Sequence, residues 1–137
     1  MELKKIGVVG AGTMGNGISQ ALSIAGFEVV MTDVGAAQLE RGVAAISGGL
    51  DRLVKKEKMT AAEKAAVMGR IRTATELGAI KDCDLVIEAA TENFDLKQKI
   101  FRQMDEIARK EAVIASNTSS ISITRLASVT DRPEHFI

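Results

Sequence analysis

The stretch KKIGVVGAGTMGNGISQALSIAGFEVVMTD, Lys4 to Asp33, decides how this chain folds. A short apolar run, Ile6–Val9, delivers the backbone into Gly10-Ala11-Gly12-Thr13-Met14-Gly15, and a helical pattern begins at once. A second apolar run, Val29–Met31, follows and leads to Asp33, 18 positions after Gly15. Glycines collect in turns of every kind, so G-x-G-x-x-G alone says little. Set between a strand and a helix, with an acid at this distance, it is the fingerprint of a dinucleotide-binding βαβ unit.

Each residue of the segment has a physical task. Gly10 permits the tight turn off the strand, and Gly12 removes a side chain that would block a pyrophosphate. Gly15 lets the helix pack close to the sheet. The helix opening near Thr13 and Met14 points unpaired N–H groups and its positive dipole end at the diphosphate. Asp33 can accept hydrogen bonds from both hydroxyls of the adenosine ribose and would repel a 2′-phosphate. Val34 and Gly35 supply no arginine to welcome one, so the pattern favours NAD over NADP. A glycine-rich turn with a capping Asp is the plainer alternative.

Composition sets the outer limits. The chain has 137 residues, enough for one domain with a real core and short for a complete two-domain dehydrogenase. Lys plus Arg and Asp plus Glu both number 18, so no charge excess recruits nucleic acid or an anionic membrane. With Cys83 as its one cysteine the chain cannot form an internal disulfide, which fits a reducing compartment. Cys83 reads as a small residue at a strand start. No apolar run approaches the ~20 residues of a membrane span. The first strand begins almost at the N-terminus, leaving no room for a signal or transit peptide. These features lead us to expect a soluble, cytoplasmic protein.

Strand and helix alternate along the chain. Strands are expected near 4–10, 27–32, 71–74, 84–89 and 112–116, and helices near 13–25, 36–57, 60–70, 94–109 and 121–129. Thr60-Ala61-Ala62-Glu63 is a capping box, so Met59 separates two helices. Helix 94–109 carries Leu96, Ile100, Phe101, Met104, Ile107 and Ala108 at the spacing of one buried face. Such alternation predicts an α/β fold: a Rossmann-type, doubly wound parallel sheet covered by helices. About 40 residues separate the second and third strands, where one crossover helix would suffice. The insertion reads as a helical hairpin projecting from the sheet. Its first arm ends in Arg52, Lys55, Lys56 and Lys58. Those cations are either an anion site or a solvated surface suited to a helix C-terminus, and the residues alone favour the second.

Two later stretches place polar groups where such a sheet presents its ligand, outside the carboxyl ends of the strands. One is Glu88-Ala89-Ala90-Thr91-Glu92-Asn93 and the other is Ser116-Asn117-Thr118-Ser119-Ser120. Both are expected to face the nicotinamide end of the cleft. The second is also an ordinary helix-capping run for helix 121–129.

The glycine fingerprint with Asp33, the Glu88–Lys97 run EAATENFDLK, the Ser116–Ser120 run SNTSS and the terminal RPEHFI together resemble the L-3-hydroxyacyl-CoA dehydrogenases, with the bacterial 3-hydroxybutyryl-CoA type nearest in pattern. The resemblance runs through the whole chain. It implies NAD as cofactor, bound by Gly10, Ala11, Gly12, Thr13, Met14, Gly15, Asp33, Ala89, Glu92, Lys97, Asn117 and Ser119. It implies an acyl-CoA substrate, with Lys56 touching coenzyme A and Gly49 standing where some members carry a serine near the same ligand. It also implies that Ser119 contacts the substrate's 3-hydroxyl.

In this family R-P-x-x-F-I-G runs on into x-H-F-F-N-P, whose histidine is the general base. That position falls three residues past Ile137, and His135 precedes it. The resemblance thus leads us to expect residues 1–137 to be the NAD-binding domain alone. The helical C-terminal domain that closes on the acyl chain and forms a homodimer would then lie outside it. Two other readings remain: a related dehydrogenase of L-gulonate or 3-hydroxyisobutyrate type, and a stand-alone NAD-binding module without catalysis.

Overall fold

In the computed structural model, which describes residues 3–90 and 94–116, the chain begins with strand β1 (Lys5–Val9) and helix α1 (Thr13–Ile24). Strand β2 (Glu28–Thr32) and helices α2 (Ala36–Lys55) and α3 (Ala61–Gly69) follow. Strand β3 (Ile71–Ala74), a 3-10 turn (Leu77–Ile80), β4 (Leu85–Glu88), α4 (Phe94–Ile107) and β5 (Val113–Ser116) complete it. The expected helix 121–129 lies outside the described residues. The 3-10 turn has no apolar periodicity to announce it.

The sheet runs β3-β2-β1-β4-β5, with every pairing parallel. The chain winds outward from β1 to β3, then crosses back to β4 on the other side of β1. That reversal creates a crevice at the carboxyl ends of β1 and β4, where open α/β sheets bind ligands. Successive strand residues point to opposite faces. Val30 therefore joins Val9, Val86, Ile114, Phe101 and Met104 beneath α4, while its neighbour Met31 joins Leu39, Ile46, Leu50 and Val67 beneath α2 and α3. Both faces are covered, which is why the strands read as continuous apolar runs.

The inserted hairpin is present, but it does not simply project. Leu39, Ile46 and Leu50 of α2 are buried, and Gly42 abuts the Ala11 carbonyl so closely that a Cβ there would approach it to 2.8 Å. The apolar stripe of α2 faces the sheet and α1 through most of its length, so α2 doubles as the crossover helix. Its C-terminus is a Schellman turn: Glu57 N–H donates to Val54 O at 3.0 Å and Lys58 N–H to Leu53 O at 2.9 Å. Glu57 takes the left-handed conformation there, φ 59°, where glycine is usual. The Thr60–Glu63 capping box then opens α3, with both reciprocal bonds formed.

At the amino ends of the strands, Asp84 accepts the N–H groups of Lys4 (2.8 Å) and Lys5 (3.0 Å) and pairs with Arg109. The backbone donors, aided by the Arg109 guanidinium, hold its carboxyl below the ordinary carboxylate value. Beside it Cys83 is buried, and loss of solvent pushes its thiol up to about 11. Such a thiol is protonated at neutral pH and acts as a small core residue.

Candidate functional site

β1 ends in a turn that only glycine can make. Gly10 has φ +120°, and a Cβ there would sit 2.7 Å from the Ala89 carbonyl oxygen. A Cβ on Gly15 would overlap the Gly10 carbonyl oxygen outright, so this glycine lets α1 start against the end of β1. Gly12 differs from both. Nothing lies within 4 Å of a Cβ placed there, so its missing side chain opens space for something outside the chain. Gly12 is also the N-cap of α1 and offers no side-chain acceptor to the first-turn N–H groups, and no acid sits in that turn. The donors that α1 presents are left for an anion.

Asp33 follows β2 at the same edge. Its Oδ2 accepts the Ala11 N–H at 3.0 Å and its Oδ1 the Gly35 N–H at 3.3 Å. The acid and the glycine loop, 22 residues apart, are therefore one unit. Asp33 and Gly10 lie on the rim of a cleft of about 430 Å³ floored by Val9 and Thr32. The far wall is α4, through Leu96, Lys99, Ile100 and Gln103. Leu96, expected on the buried face of α4, is 47% exposed and lines this cleft. Val34 stands opposite on the β2 side, 93% exposed. An exposed apolar pair across a cleft suits a flat ring more than it suits water.

The ends of β4 and β5 are joined by a buried polar cluster that the sequence reading did not anticipate. Glu88 and Lys97 are both 0% exposed and form an ion pair. The Ser116 hydroxyl donates to Glu88 Oε1 at 2.9 Å, and the Ala90 N–H to Oε2 at 2.7 Å. Lys97, expected among the residues lining the cofactor site, is buried with its ammonium on Glu88. The signal was present: Lys97, Phe101, Met104 and Ala108 recur at the spacing of a core stripe, and all four are buried.

Of the remaining expected site residues, Ala89 adjoins Gly10, and Ala89 N–H donates to Val9 O at 2.8 Å. Glu92, Asn117, Ser119 and His135 lie outside the described residues. Lys56 is the exposed C-cap of α2, beside exposed Arg52, Lys55 and Lys58. Gly49 is buried against α1, where a Cβ would approach Gln20 Oε1 to 2.6 Å. Among the described residues no helix is long and apolar enough to cross a membrane, and no His, Cys, Asp and Glu cluster suits a metal ion.

A parallel sheet with a switch point, a glycine turn, an open helix N-terminus and an acid after β2 define a dinucleotide-binding Rossmann domain. The family described as 3-hydroxyacyl-CoA dehydrogenase, NAD binding domain, matches residues 5–137, and the chain belongs to it. It is 51% identical over 98% of its length to a 3-hydroxybutyryl-CoA dehydrogenase of Bradyrhizobium diazoefficiens, covering 46% of that protein. It is 37% identical to a fatty acid oxidation complex subunit alpha of Psychrobacter, covering 19% of it. The crystal structure of (S)-3-hydroxybutyryl-CoA dehydrogenase from Ralstonia eutropha superposes with a TM-score of 0.97 at 54% identity, over 99% of this chain and 48% of that one. The chain thus spans about half the length of the 3-hydroxybutyryl-CoA dehydrogenases it matches.

Proposed function

We propose that this chain is the cofactor half of an NAD-dependent 3-hydroxybutyryl-CoA dehydrogenase, with Gly10, Ala11, Gly12, Thr13, Met14, Gly15 and Asp33 holding the adenosine and diphosphate. The observation that carries the reading is the bond from the Ala11 N–H to Asp33, which joins the glycine loop and the acid at one rim of the cleft. The open space at Gly12 fits a diphosphate, and the apolar walls at Val34 and Leu96 fit an adenine. NAD supplies the hydride chemistry when bound, which side chains cannot do. The chain's own part is to bind and orient it.

By resemblance, Ala89, Glu92, Asn117 and Ser119 complete the nicotinamide side, and Ser119 holds the substrate's 3-hydroxyl oxygen. Lys56 and its basic neighbours take the phosphates of coenzyme A. The general base is assigned to the histidine of the x-H-F-F-N-P motif, three positions past Ile137, and not to His135. His135 lies five positions before that histidine in the motif, and position in the motif, not residue type, decides which side chain meets the substrate hydroxyl. Residues 1–137 alone are therefore without dehydrogenase turnover. In the intact enzyme a C-terminal domain closes the site and makes the homodimer, and the protein works in the cytoplasm.

The test has two parts. Calorimetric titration of the chain is expected to show NADH binding and weaker NADPH binding; equal or tighter NADPH binding would sink the assignment of Asp33. Oxidation of NADH by acetoacetyl-CoA is expected only from a chain extended through the catalytic motif. Activity of residues 1–137 that vanishes in His135→Gln would make His135 the base.

A further inference from the structure

Helix α2 passes closer to the glycine loop than a helix carrying a side chain there could. A Cβ on Gly42 would stand 2.8 Å from the Ala11 carbonyl oxygen and 3.3 Å from the Ala11 Cβ. The oxygen in the way is backbone, which cannot swing aside as the end of a long side chain would. Two glycines of the same helix behave differently. A Cβ on Gly49 would meet the flexible end of Gln20, and one on Gly48 would meet nothing within 4 Å. Glycine weakens a helix interior, so a buried glycine pressed on a backbone carbonyl calls for a reason.

The oxygen against Gly42 belongs to the peptide unit that Ala11 shares with Gly12. That unit is planar and trans, so its carbonyl and its N–H point in opposite directions. With the oxygen against α2, and Asn16 Nδ2 of α1 at 3.5 Å from it, the Gly12 N–H is turned away from α2. Among the described residues no hydrogen bond uses that N–H. It lies at the N-cap of α1, where no side chain caps the first turn and a Cβ on Gly12 would meet nothing within 4 Å. The Ala11 N–H belongs to the preceding peptide unit and is held separately, by Asp33.

We propose that Gly42 is a positioning residue for the diphosphate. By admitting the Ala11 carbonyl, α2 sets the plane of the Ala11–Gly12 peptide and so aims the Gly12 N–H at the anion. The proposal rests on the NAD reading and adds a residue that does not touch the ligand. A side chain at position 42 would push that oxygen off α2 and rotate the N–H with it. The loss should fall on the diphosphate and spare the adenosine, because Asp33 keeps its own bond to Ala11.

The experiment titrates the 137-residue chain and two variants of α2 with NADH, ADP and adenosine, which lacks phosphate. Gly42→Ala is expected to bind NADH and ADP about tenfold more weakly, the scale of one hydrogen bond to a charged group, with adenosine changed less than about twofold. Leu53→Ala trims the packed face of the same helix about three turns further on. It should lower the melting temperature and leave all three affinities unchanged. Three results would overturn the proposal: undiminished ADP binding in Gly42→Ala, a loss as large for adenosine as for ADP, or an equal ADP loss in Leu53→Ala.

If Gly42→Ala gives no folded chain by circular dichroism, the amide resonances of the unmodified chain carry the test. The Gly12 amide proton is then expected to move much further with ADP than with adenosine, and an equal or absent shift overturns the proposal. Failure of the unmodified chain to bind NADH would be a different result, since it would remove the NAD reading itself.

Discussion

Asp33 Oδ2 accepts the Ala11 N–H at 3.0 Å, so the acid that would read the ribose also holds the glycine loop in shape. The carboxylate has four acceptor sites and uses one for Ala11 and one, at 3.3 Å, for Gly35. Counting the described residues alone, two remain for a vicinal diol. Asp33→Ala removes both functions and is expected to weaken NADH binding by about 1.5–3 kcal/mol, the scale of a hydrogen bond to a charged group. Asp33→Asn keeps one acceptor oxygen and should lose less. Calorimetry on both variants checks this; an Asn variant as weak as the Ala variant would assign the effect to charge alone.

Gly12 and Gly15 should separate ligand space from packing space. A Cβ on Gly15 meets the Gly10 carbonyl oxygen, so Gly15→Ala is expected to lower stability by about 1–3 kcal/mol, the usual range for overpacking. A Cβ on Gly12 meets nothing within 4 Å, so Gly12→Ala should leave thermal stability nearly unchanged yet reduce NADH affinity more than tenfold. Melting curves and NADH titration on the same samples decide it. Unchanged NADH binding in Gly12→Ala would mean that the open space is not the diphosphate's.

Glu57 gives a stability prediction unconnected with the ligand. Its left-handed φ of 59° at the Schellman turn is strained for a residue with a Cβ. Glu57→Gly is expected to stabilise the chain by about 0.5–1 kcal/mol, after allowing for the greater freedom of glycine in the unfolded state. Urea unfolding measures the change, and a destabilised variant would show that the Glu57 side chain contributes more than the turn strain.

Acid should loosen the amino edge of the sheet through Asp84. Its carboxyl is held below the ordinary value first by the Lys4 and Lys5 N–H groups and then by Arg109. A group with a depressed folded-state pKa contributes stability above its unfolded pKa, and that contribution is lost as pH falls through the folded value. The loss is therefore expected below about pH 4, the usual carboxylate value. Asp84→Asn should be less stable at pH 7 and should show a flatter decline in acid. Parallel acid unfolding curves for the two proteins would contradict this.

Lys56 tests the coenzyme A assignment. Acetoacetyl-CoA binding to the chain is expected to weaken with salt and with Lys56→Ala, because exposed cations act on phosphates through a screened field. An affinity independent of salt and unchanged in the variant would return Arg52, Lys55, Lys56 and Lys58 to a solvated surface.

Local patterns made most of the fold legible. All five strands and four of the expected helices fall within about two residues of the positions read from the sequence, since periodicity, caps and the glycine turn belong to consecutive residues. The hairpin was legible as two helices, from the capping box at Thr60. How it lies was not, because Gly42 gives no sign in the sequence that it abuts Ala11. The glycine loop and the acid of the candidate site were legible. Gly10, Gly12, Gly15 and Asp33 are a spacing, and spacings can be read.

The sequence by itself determined the alternation of strand and helix, the glycine loop and the acid after β2, all of which depend on neighbours along the chain. Tertiary structure alone decided that Glu88 meets Lys97 and Ser116, that Asp84 gathers Lys4, Lys5 and Arg109, and that Leu96 faces the cleft while Lys97 goes inside. Lys4 and Asp84 are 80 positions apart, and Glu88 and Ser116 are 28. Only the parallel register of β1, β4 and β5 brings such residues to the same edge of the sheet. A charge is stable inside only where that register also supplies its partner.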